Sequence, residues 1–151
     1  MRILMVCLGN ICRSPIAEGV MRHKVKENGL DWIVDSAGTE SYHVGEAPHR
    51  FSQKICLKHG IDISHQRAVK LTADSFAGYD KIYAMATDVY EEIKYLGGKQ
   101  ADMTKVELFL NDLHPGKNES VPDPYYGEEG GFLQVYELID KGCEAIIKNN
   151  K

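Results

Sequence analysis

The chain has 151 residues, a length that fits one domain whose core needs no disulfide or metal. Its net charge of −4 and pI near 5.8 argue against a nucleic-acid binder, and its 43% content of apolar residues argues against disorder. The apolar runs fall short of the roughly 20 residues that cross a bilayer, so we expect a single domain over residues 1–151 without nucleic-acid or membrane partners.

The first predicted element is a strand at residues 2–6, an almost wholly apolar run typical of a strand buried on both faces. The pattern favours a first strand over a secretion signal, because no small-residue cleavage site follows the apolar stretch. A helix is predicted next, with Ser14 as its N-cap, Pro15 in its first turn and Asn28-Gly29 at its end.

Strands and helices alternate along the rest of the chain. The patterns predict strands at 32–34, 81–85 and 105–110, and helices at 48–59, 72–76, 87–96 and 132–148. This alternation predicts an α/β fold, a three-layer sandwich with a four-stranded parallel sheet and helices on both faces. In such folds ligands bind beyond the carboxyl ends of the strands. Residues 111–130, rich in Pro, Gly, Asn and Asp, are predicted to form a long loop of the kind that is often functional.

The segment between the first strand and the first helix has the composition of an anion site. Cys7 is followed by five residues, then by Arg13 and Ser14. Gly9 lets the loop curl so that successive backbone N–H groups converge on one centre, and the following helix adds the positive end of its dipole. Arg13 can hold two phosphoryl oxygens through its planar guanidinium. The same groups stabilise a thiolate at Cys7, which would then lie in line with a bound phosphorus as a nucleophile.

An acid for the leaving oxygen is expected from Asp123, which lies between Pro122 and Pro124. The two prolines limit the conformers of the loop, and a pre-positioned carboxyl can first protonate the leaving group and then activate water. Tyr125 and Tyr126 follow directly and would offer aromatic walls to a flat aryl substrate.

Four segments taken together resemble the low-molecular-weight protein tyrosine phosphatases. They are Val6 to Glu18, Asp35 to Thr39, Gly60 to His65 and Asp123 to Gly127, and they match the family's motifs in the family's order. The resemblance implies a cysteine-dependent phosphoric monoester hydrolase that acts on phosphotyrosine proteins and small aryl phosphates through a cysteinyl-phosphate intermediate. The whole chain would form its single phosphatase domain.

The resemblance implies four catalytic roles. Cys7 would be the nucleophile that forms the phosphocysteine, and Arg13 would bind the phosphoryl oxygens in ground and transition states. Ser14 would donate its hydroxyl to the Cys7 sulfur and help it leave. Asp123 would act as general acid and then as general base.

The resemblance also implies supporting residues and a binding pocket. Asn10 would hold a left-handed backbone conformation, with Ser36 and His65 hydrogen-bonding around it to keep the loop rigid. Cys12 would form a reversible disulfide with Cys7 under oxidation, which agrees with the usual redox pairing of a reactive thiolate and a second thiol. The substrate-binding residues would be Leu8, Gly9, Asn10, Ile11, Cys12, Tyr42, Tyr125 and Tyr126.

One position departs from the family's pattern. The family often has Asp after the Met that ends the third strand, whereas this chain has Ala86 after Met85, with Asp88 two residues on. If that carboxylate normally supports the loop network around His65, the support is missing or rerouted here. The departure concerns the surroundings of the loop and leaves Cys7 and Asp123 in place.

The remaining cysteines are predicted to be packing residues. The chain has four cysteines without a secretion signal, which favours reduced thiols and a cytoplasmic location. Cys56 and Cys143 fall on predicted helices, and no second pair stands at zinc-ligand spacing. We therefore expect no metal and no cofactor, and a monomer or weak dimer.

Three other functions remain open at this stage. A thiol-dependent arsenate reductase would share the fold but needs further cysteines close together. A phosphoarginine hydrolase would resemble the loop but carries threonine where Ile11 stands. A catalytically silent phosphate-binding module would lack part of the catalytic set, which is intact here.

Overall fold

A computed structural model describes residues 1–125 and 127–151. It contains four strands, listed in chain order as β1 (Arg2–Cys7), β2 (Ile33–Gly38), β3 (Lys81–Ala84) and β4 (Val106–Leu108). The α-helices are α1 (Arg13–Glu27), α2 (Arg50–Lys58), α3 (Ser75–Gly78), α4 (Thr87–Gly97) and α5 (Glu129–Asn150). Short 3₁₀ turns lie at Gly98–Gln100, Met103–Lys105 and Phe109–Asn111.

All four strands are parallel and have the order β2-β1-β3-β4, so β1 is a central strand. Successive side chains of β1 enter different cores, as the pleat of a strand requires. Ile3 and Met5 pack with α1, α2 and α5, whereas Leu4 and Val6 pack with α3 and α4. The sheet therefore has helices on both faces, and the predicted three-layer α/β sandwich is confirmed.

The winding of the sheet determines where a ligand can bind. From β1 the chain passes to β2 on one side and then crosses to β3 on the other side. The loops after β1 and β3 thus leave the sheet in different directions and open a crevice at the carboxyl ends of these strands. The loop that begins at Cys7 lies at this crevice.

Several element boundaries differ from the prediction. Helix α1 begins at Arg13, with Cys12 before it, so the prediction of Ser14 as N-cap is wrong. The Ser14 side chain instead faces Cys7, with Sγ and Oγ 3.0 Å apart. Strand β4 is shorter than predicted because its last apolar residues form a 3₁₀ turn, and α5 starts at Glu129, earlier than predicted. Within the described residues, no helix is long and apolar enough to cross a membrane.

Candidate active site

The loop from Cys7 to Ser14 joins the end of β1 to the start of α1 and is almost completely shielded from solvent. Cys7 is 2% exposed and Arg13 is 3% exposed. The first turn of α1 leaves backbone N–H groups without helical partners, and these face the same end of the sheet as the Cys7 thiol. The loop therefore combines a nucleophile with the positive end of a helix. We call residues 7–14 the phosphate-binding loop.

Asn10 holds the bend of the phosphate-binding loop. Its φ angle is 57°, so the predicted left-handed conformation is confirmed. Its amide nitrogen donates to Ser14 Oγ at 2.7 Å and to Ser36 Oγ at 3.0 Å, while the backbone N–H of Val69 donates to its amide oxygen at 3.0 Å. Both ends of the side-chain amide are thus engaged, which stabilises a conformation that a non-glycine residue rarely adopts.

Ser36 connects this amide to a network of charged groups. Its hydroxyl donates to the buried carboxylate of Glu18 at 2.8 Å, and Glu18 lies 3.2 Å from Arg22. Arg22 also contacts Asp35 at 3.2 Å, and Tyr79 donates to the same carboxylate at 2.7 Å. Burial raises the pKa of Glu18, although Arg22 and Ser36 act in the opposite direction. The predicted role of Ser36 beside Asn10 therefore agrees with the geometry.

His65 lies near this network, where burial raises the pKa of Glu18 and the charge of His65 acts in the opposite direction, but it does not make the hydrogen bond at Asn10 that the resemblance implied. Its side chain is exposed, and none of the hydrogen bonds between described residues joins it to Asn10. The place expected for it is occupied by the backbone N–H of Val69. Ala86 is buried, with 4% of its surface exposed, and offers no carboxylate. The support of the loop is thus routed through Ser36 and Glu18.

We expect Ser36→Ala to destabilise the protein by about 1–3 kcal/mol, because it leaves both the Asn10 amide and the Glu18 carboxylate short of a buried partner. The exposed His65 offers a matched comparison, and His65→Ala is expected to change the free energy of unfolding by less than about 0.5 kcal/mol. Urea unfolding of both variants measures the difference. Equal losses for the two variants would contradict this account of the network.

Arg13 joins the phosphate-binding loop to the loop that carries Asp123. One guanidinium nitrogen donates to the carbonyl of Val121 at 3.0 Å, and another lies 3.5 Å from Asp123 Oδ2. The other carboxylate oxygen of Asp123 accepts the backbone N–H of Tyr125 at 3.0 Å. The Asp123 side chain is 37% exposed, so it can reach both a substrate and water. The structure thus places the predicted acid beside the predicted phosphate ligand.

A cavity of about 250 Å³ opens above these groups. This volume suits a single substrate side chain, since pockets for drug-sized ligands span roughly 300–1,000 Å³. Its lining residues are Cys7, Leu8, Gly9, Ile11, Cys12, Arg13, Glu40, Tyr42, His43, Asp123 and Tyr125. Most of the predicted substrate-binding residues are among them, but Asn10 is not, because its side chain is turned back toward Ser14 and Ser36. Tyr126, also predicted here, lies outside the described residues.

Sequence reasoning missed Glu40 and His43, which also line the cavity. They belong to residues 36–47, predicted only as a loop, and no spacing rule indicates which loop side chains face a distant site. Tyr42 lines the cavity while remaining 82% exposed, so it stands at the entrance.

The second thiol of the loop, Cys12, is buried in surroundings that disfavour its thiolate form. Burial raises the pKa of the Cys12 thiol, and the charges of Cys7 and Asp123 raise it further, while Arg13 and a hydrogen bond with Ser52 act in the opposite direction. Cys12 therefore stays protonated at neutral pH. All four cysteines are free thiols, and Cys56 and Cys143 are fully buried in the core beside α1.

The other candidate sites lack the residues that this reaction needs. A larger cavity of about 730 Å³ lies beside β4, but its described lining contains neither cysteine nor arginine. In residues 1–125 and 127–151, no group of three or more His, Cys, Asp or Glu side chains is placed to hold a metal ion.

Comparisons with known proteins agree with the geometry. A family model described as low molecular weight phosphotyrosine protein phosphatase matches residues 2–151. The Gallus gallus low molecular weight phosphotyrosine protein phosphatase is 39% identical over 149 residues, which cover 97% of this chain and 93% of the relative. A protein tyrosine phosphatase from Entamoeba histolytica, solved with Hepes in its active site, has a TM-score of 0.91 at 36% identity, covering 99% of this chain and 96% of that one. The Drosophila arginine phosphatase has a TM-score of 0.92 at 32% identity, covering 100% and 98%.

Proposed function

Because the chain belongs to the low molecular weight phosphotyrosine protein phosphatase family, we propose that Cys7, Arg13, Ser14 and Asp123 carry its reaction. The protein is a protein tyrosine phosphatase that hydrolyses phosphotyrosine through a cysteinyl-phosphate intermediate. The assignment of roles rests on one observation: the Cys7 thiol, the Arg13 guanidinium and the Asp123 carboxyl line the same small cavity.

In the first step the Cys7 thiolate attacks phosphorus, and the bond from phosphorus to the tyrosine oxygen breaks. Asp123 gives its proton to that oxygen, so tyrosine leaves as a neutral phenol and Asp123 becomes a carboxylate. Arg13 and the backbone N–H groups of the phosphate-binding loop bind the oxygens of the phosphoryl group while it is transferred from tyrosine to Cys7. Arg13 is already positioned at the loop for this task, because the Val121 carbonyl accepts from one of its nitrogens and Asp123 lies 3.5 Å from another.

In the second step a water molecule attacks the phosphocysteine. Asp123, now ionised, takes a proton from this water, and the bond between sulfur and phosphorus breaks to release inorganic phosphate. The hydroxyl of Ser14 lies 3.0 Å from the Cys7 sulfur and donates a hydrogen bond to the thiolate as it leaves. The hydroxyl is oriented for this role because its oxygen already accepts the amide of Asn10.

The shape of the cavity favours an aryl substrate. Apolar and aromatic surface lines the cavity with the thiol and comes from Leu8, Ile11, Tyr42 and Tyr125. An arsenate reductase mechanism lacks support, because Cys56 and Cys143 lie in the core and do not line the cavity.

The similarity to an arginine phosphatase makes phosphoarginine the second candidate substrate. A phosphoarginine side chain would lose the contact that a flat aryl ring makes with the tyrosines. We expect hydrolysis of a phosphotyrosine peptide with a much larger kcat/KM than that of the same peptide with phosphoarginine, in reducing buffer containing a chelator. Faster release of phosphate from the phosphoarginine peptide would reverse the assignment, and activity that the chelator removes would contradict the metal-free mechanism.

Phosphoprotein substrates follow from the family. Three further expectations stay predictions: the cytoplasmic location, the monomer or weak dimer, and redox control through a Cys7–Cys12 disulfide.

A further inference from the structure

One charged group in the cavity has no role in the reaction. Glu40 follows the end of β2, and its backbone N–H donates to the carbonyl of Leu8 at 2.9 Å. The preceding residue, Thr39, donates in the same way to the carbonyl of Cys7 at 3.0 Å. These two bonds hold the backbone of Glu40 against the phosphate-binding loop. The Cα atom from which its side chain extends is therefore held at the wall of the cavity.

The Glu40 carboxylate is not neutralised by its surroundings. It is half-buried, and no ion pair within residues 1–125 and 127–151 includes it. Arg13 is the arginine of the cavity, but it already holds Asp123 and, in the reaction, the phosphoryl group. A cation that pairs with Glu40 therefore has to come with the substrate.

His43 does not supply that cation. Its Nδ1 is 3.0 Å from Glu46 Oε2, so this imidazole is paired with a different carboxylate. Its ring is also held in place, with its centroid 5.7 Å from that of Tyr125. On its other side the ring packs against Gly9, where an added Cβ would meet Cδ2 at 2.9 Å. The imidazole cannot turn toward Glu40 without losing these contacts.

Asp123 does not share the role of Glu40 when phosphotyrosine binds. As general acid it carries a proton in the productive complex and is then neutral. The phosphoryl dianion is compensated by Arg13, the loop N–H groups and the end of α1. Glu40 is thus a carboxylate of the cavity wall that the phosphoryl group does not involve. Its negative charge can interact with the parts of the substrate next to the phosphotyrosine.

We propose that Glu40 is a specificity-determining residue that binds a lysine or arginine side chain next to the phosphotyrosine of the substrate. This inference rests on the proposed function, because it concerns the same cavity. Glu40 is half-exposed, and ion pairs at such positions change binding by a factor of roughly two to five. The preference acts through charge at the surface, so it weakens as salt shortens the Debye length.

The test uses three phosphotyrosine peptides that differ only in the residues on either side of the phosphotyrosine, which are lysine, alanine or glutamate. We expect kcat/KM of the wild type to fall in that order, with a lysine-to-glutamate ratio of roughly four or more at low salt and a smaller ratio at high salt. Glu40→Gln should bring the ratio near one, and Glu40→Lys should invert it. Glu91→Lys, at an exposed glutamate of α4 outside the cavity, makes the same change in net charge and should leave the ratio as in the wild type.

Each outcome decides the question. A wild-type ratio of one, or a ratio that Glu40→Gln leaves intact, overturns the proposal. A ratio that shifts equally in Glu91→Lys means that net charge and not Glu40 sets the preference, which also overturns it. If Glu40→Lys does not fold, Glu40→Gln and the salt dependence of the wild type still give the answer. If the wild type hydrolyses none of the three peptides and no p-nitrophenyl phosphate, the proposed function itself is refuted.

Discussion

Cys7→Ser is expected to lower kcat/KM for p-nitrophenyl phosphate at least roughly 10⁴-fold, since removal of a covalent nucleophile leaves only binding and electrostatic contributions. A serine hydroxyl is a far weaker nucleophile at neutral pH, and none of the hydrogen bonds between described residues joins the Cys7 side chain to a carboxylate or an imidazole. The partner of the Cys7 thiol is the Ser14 hydroxyl, at 3.0 Å, and a neutral hydroxyl is too weak a base to activate a serine at this position.

The same variant should still bind phosphate. Arg13, the loop N–H groups and the first turn of α1 remain, and the repulsion between a thiolate and a phosphate dianion is gone. Inorganic phosphate is therefore expected to raise the Tm of Cys7→Ser at least as much as that of the wild type. Turnover near the wild-type level in a preparation free of wild-type enzyme would refute the cysteinyl-phosphate assignment to Cys7. Loss of both turnover and phosphate stabilisation would indicate a collapsed loop.

Asp123→Ala is expected to lower kcat for a phosphotyrosine peptide by about 10²- to 10⁴-fold, the usual contribution of a positioned proton donor. The leaving oxygen of tyrosine is basic and needs the proton, whereas p-nitrophenolate is a stable anion that leaves without one. The loss for p-nitrophenyl phosphate should therefore be much smaller. A series of aryl phosphates of graded phenol acidity should show a steeper dependence on the leaving group in the variant than in the wild type.

The pH profile gives an independent check on Asp123. The limb of the wild-type profile that reports loss of the proton from the acid should be absent from the variant. Asp123→Asn keeps the size of the side chain and is the matched control for packing of the loop. An equal loss for good and poor leaving groups would show that Asp123 positions the substrate through Arg13, to which it is paired at 3.5 Å, and does not donate a proton.

The catalytic residues of the site are easier to predict from the sequence than the hydrogen-bond network that holds the phosphate-binding loop. Cys7, Arg13 and Ser14 lie within eight consecutive residues between a strand and a helix, so local rules suffice to bring them together. An aspartate next to proline is common in turns, so Asp123 is predicted as the acid only because the chain also contains the cysteine loop. The expected hydrogen bond between His65 and Asn10 is not formed, because the partner of the Asn10 amide oxygen is the backbone N–H of Val69, a group that every residue type except proline provides.

The predicted ends of helices and strands are wrong where the same residue type fits two different structural roles. Ser14 is a residue type that favours the N-cap position, but its hydroxyl is engaged by Cys7 and Asn10, and the N-cap is Cys12, two residues earlier. The apolar residues after β4 would be buried equally well in a strand or in a 3₁₀ turn. Their hydrophobicity therefore does not distinguish a longer strand from the turn that is observed. Glu40 escaped notice because its position depends on hydrogen bonds between two loops that are far apart in the chain.

The bond between Arg13 and the Val121 carbonyl spans 108 positions of the chain, and Asp123 lies just beyond it. The nucleophile leaves the ribosome early in translation, whereas the acid follows only after all four strands have been synthesised. A nascent chain that ends before residue 121 therefore has the phosphate-binding loop without the carboxyl that completes it. We therefore expect hydrolysis of phosphotyrosine at the full rate only from chains that extend beyond residue 123.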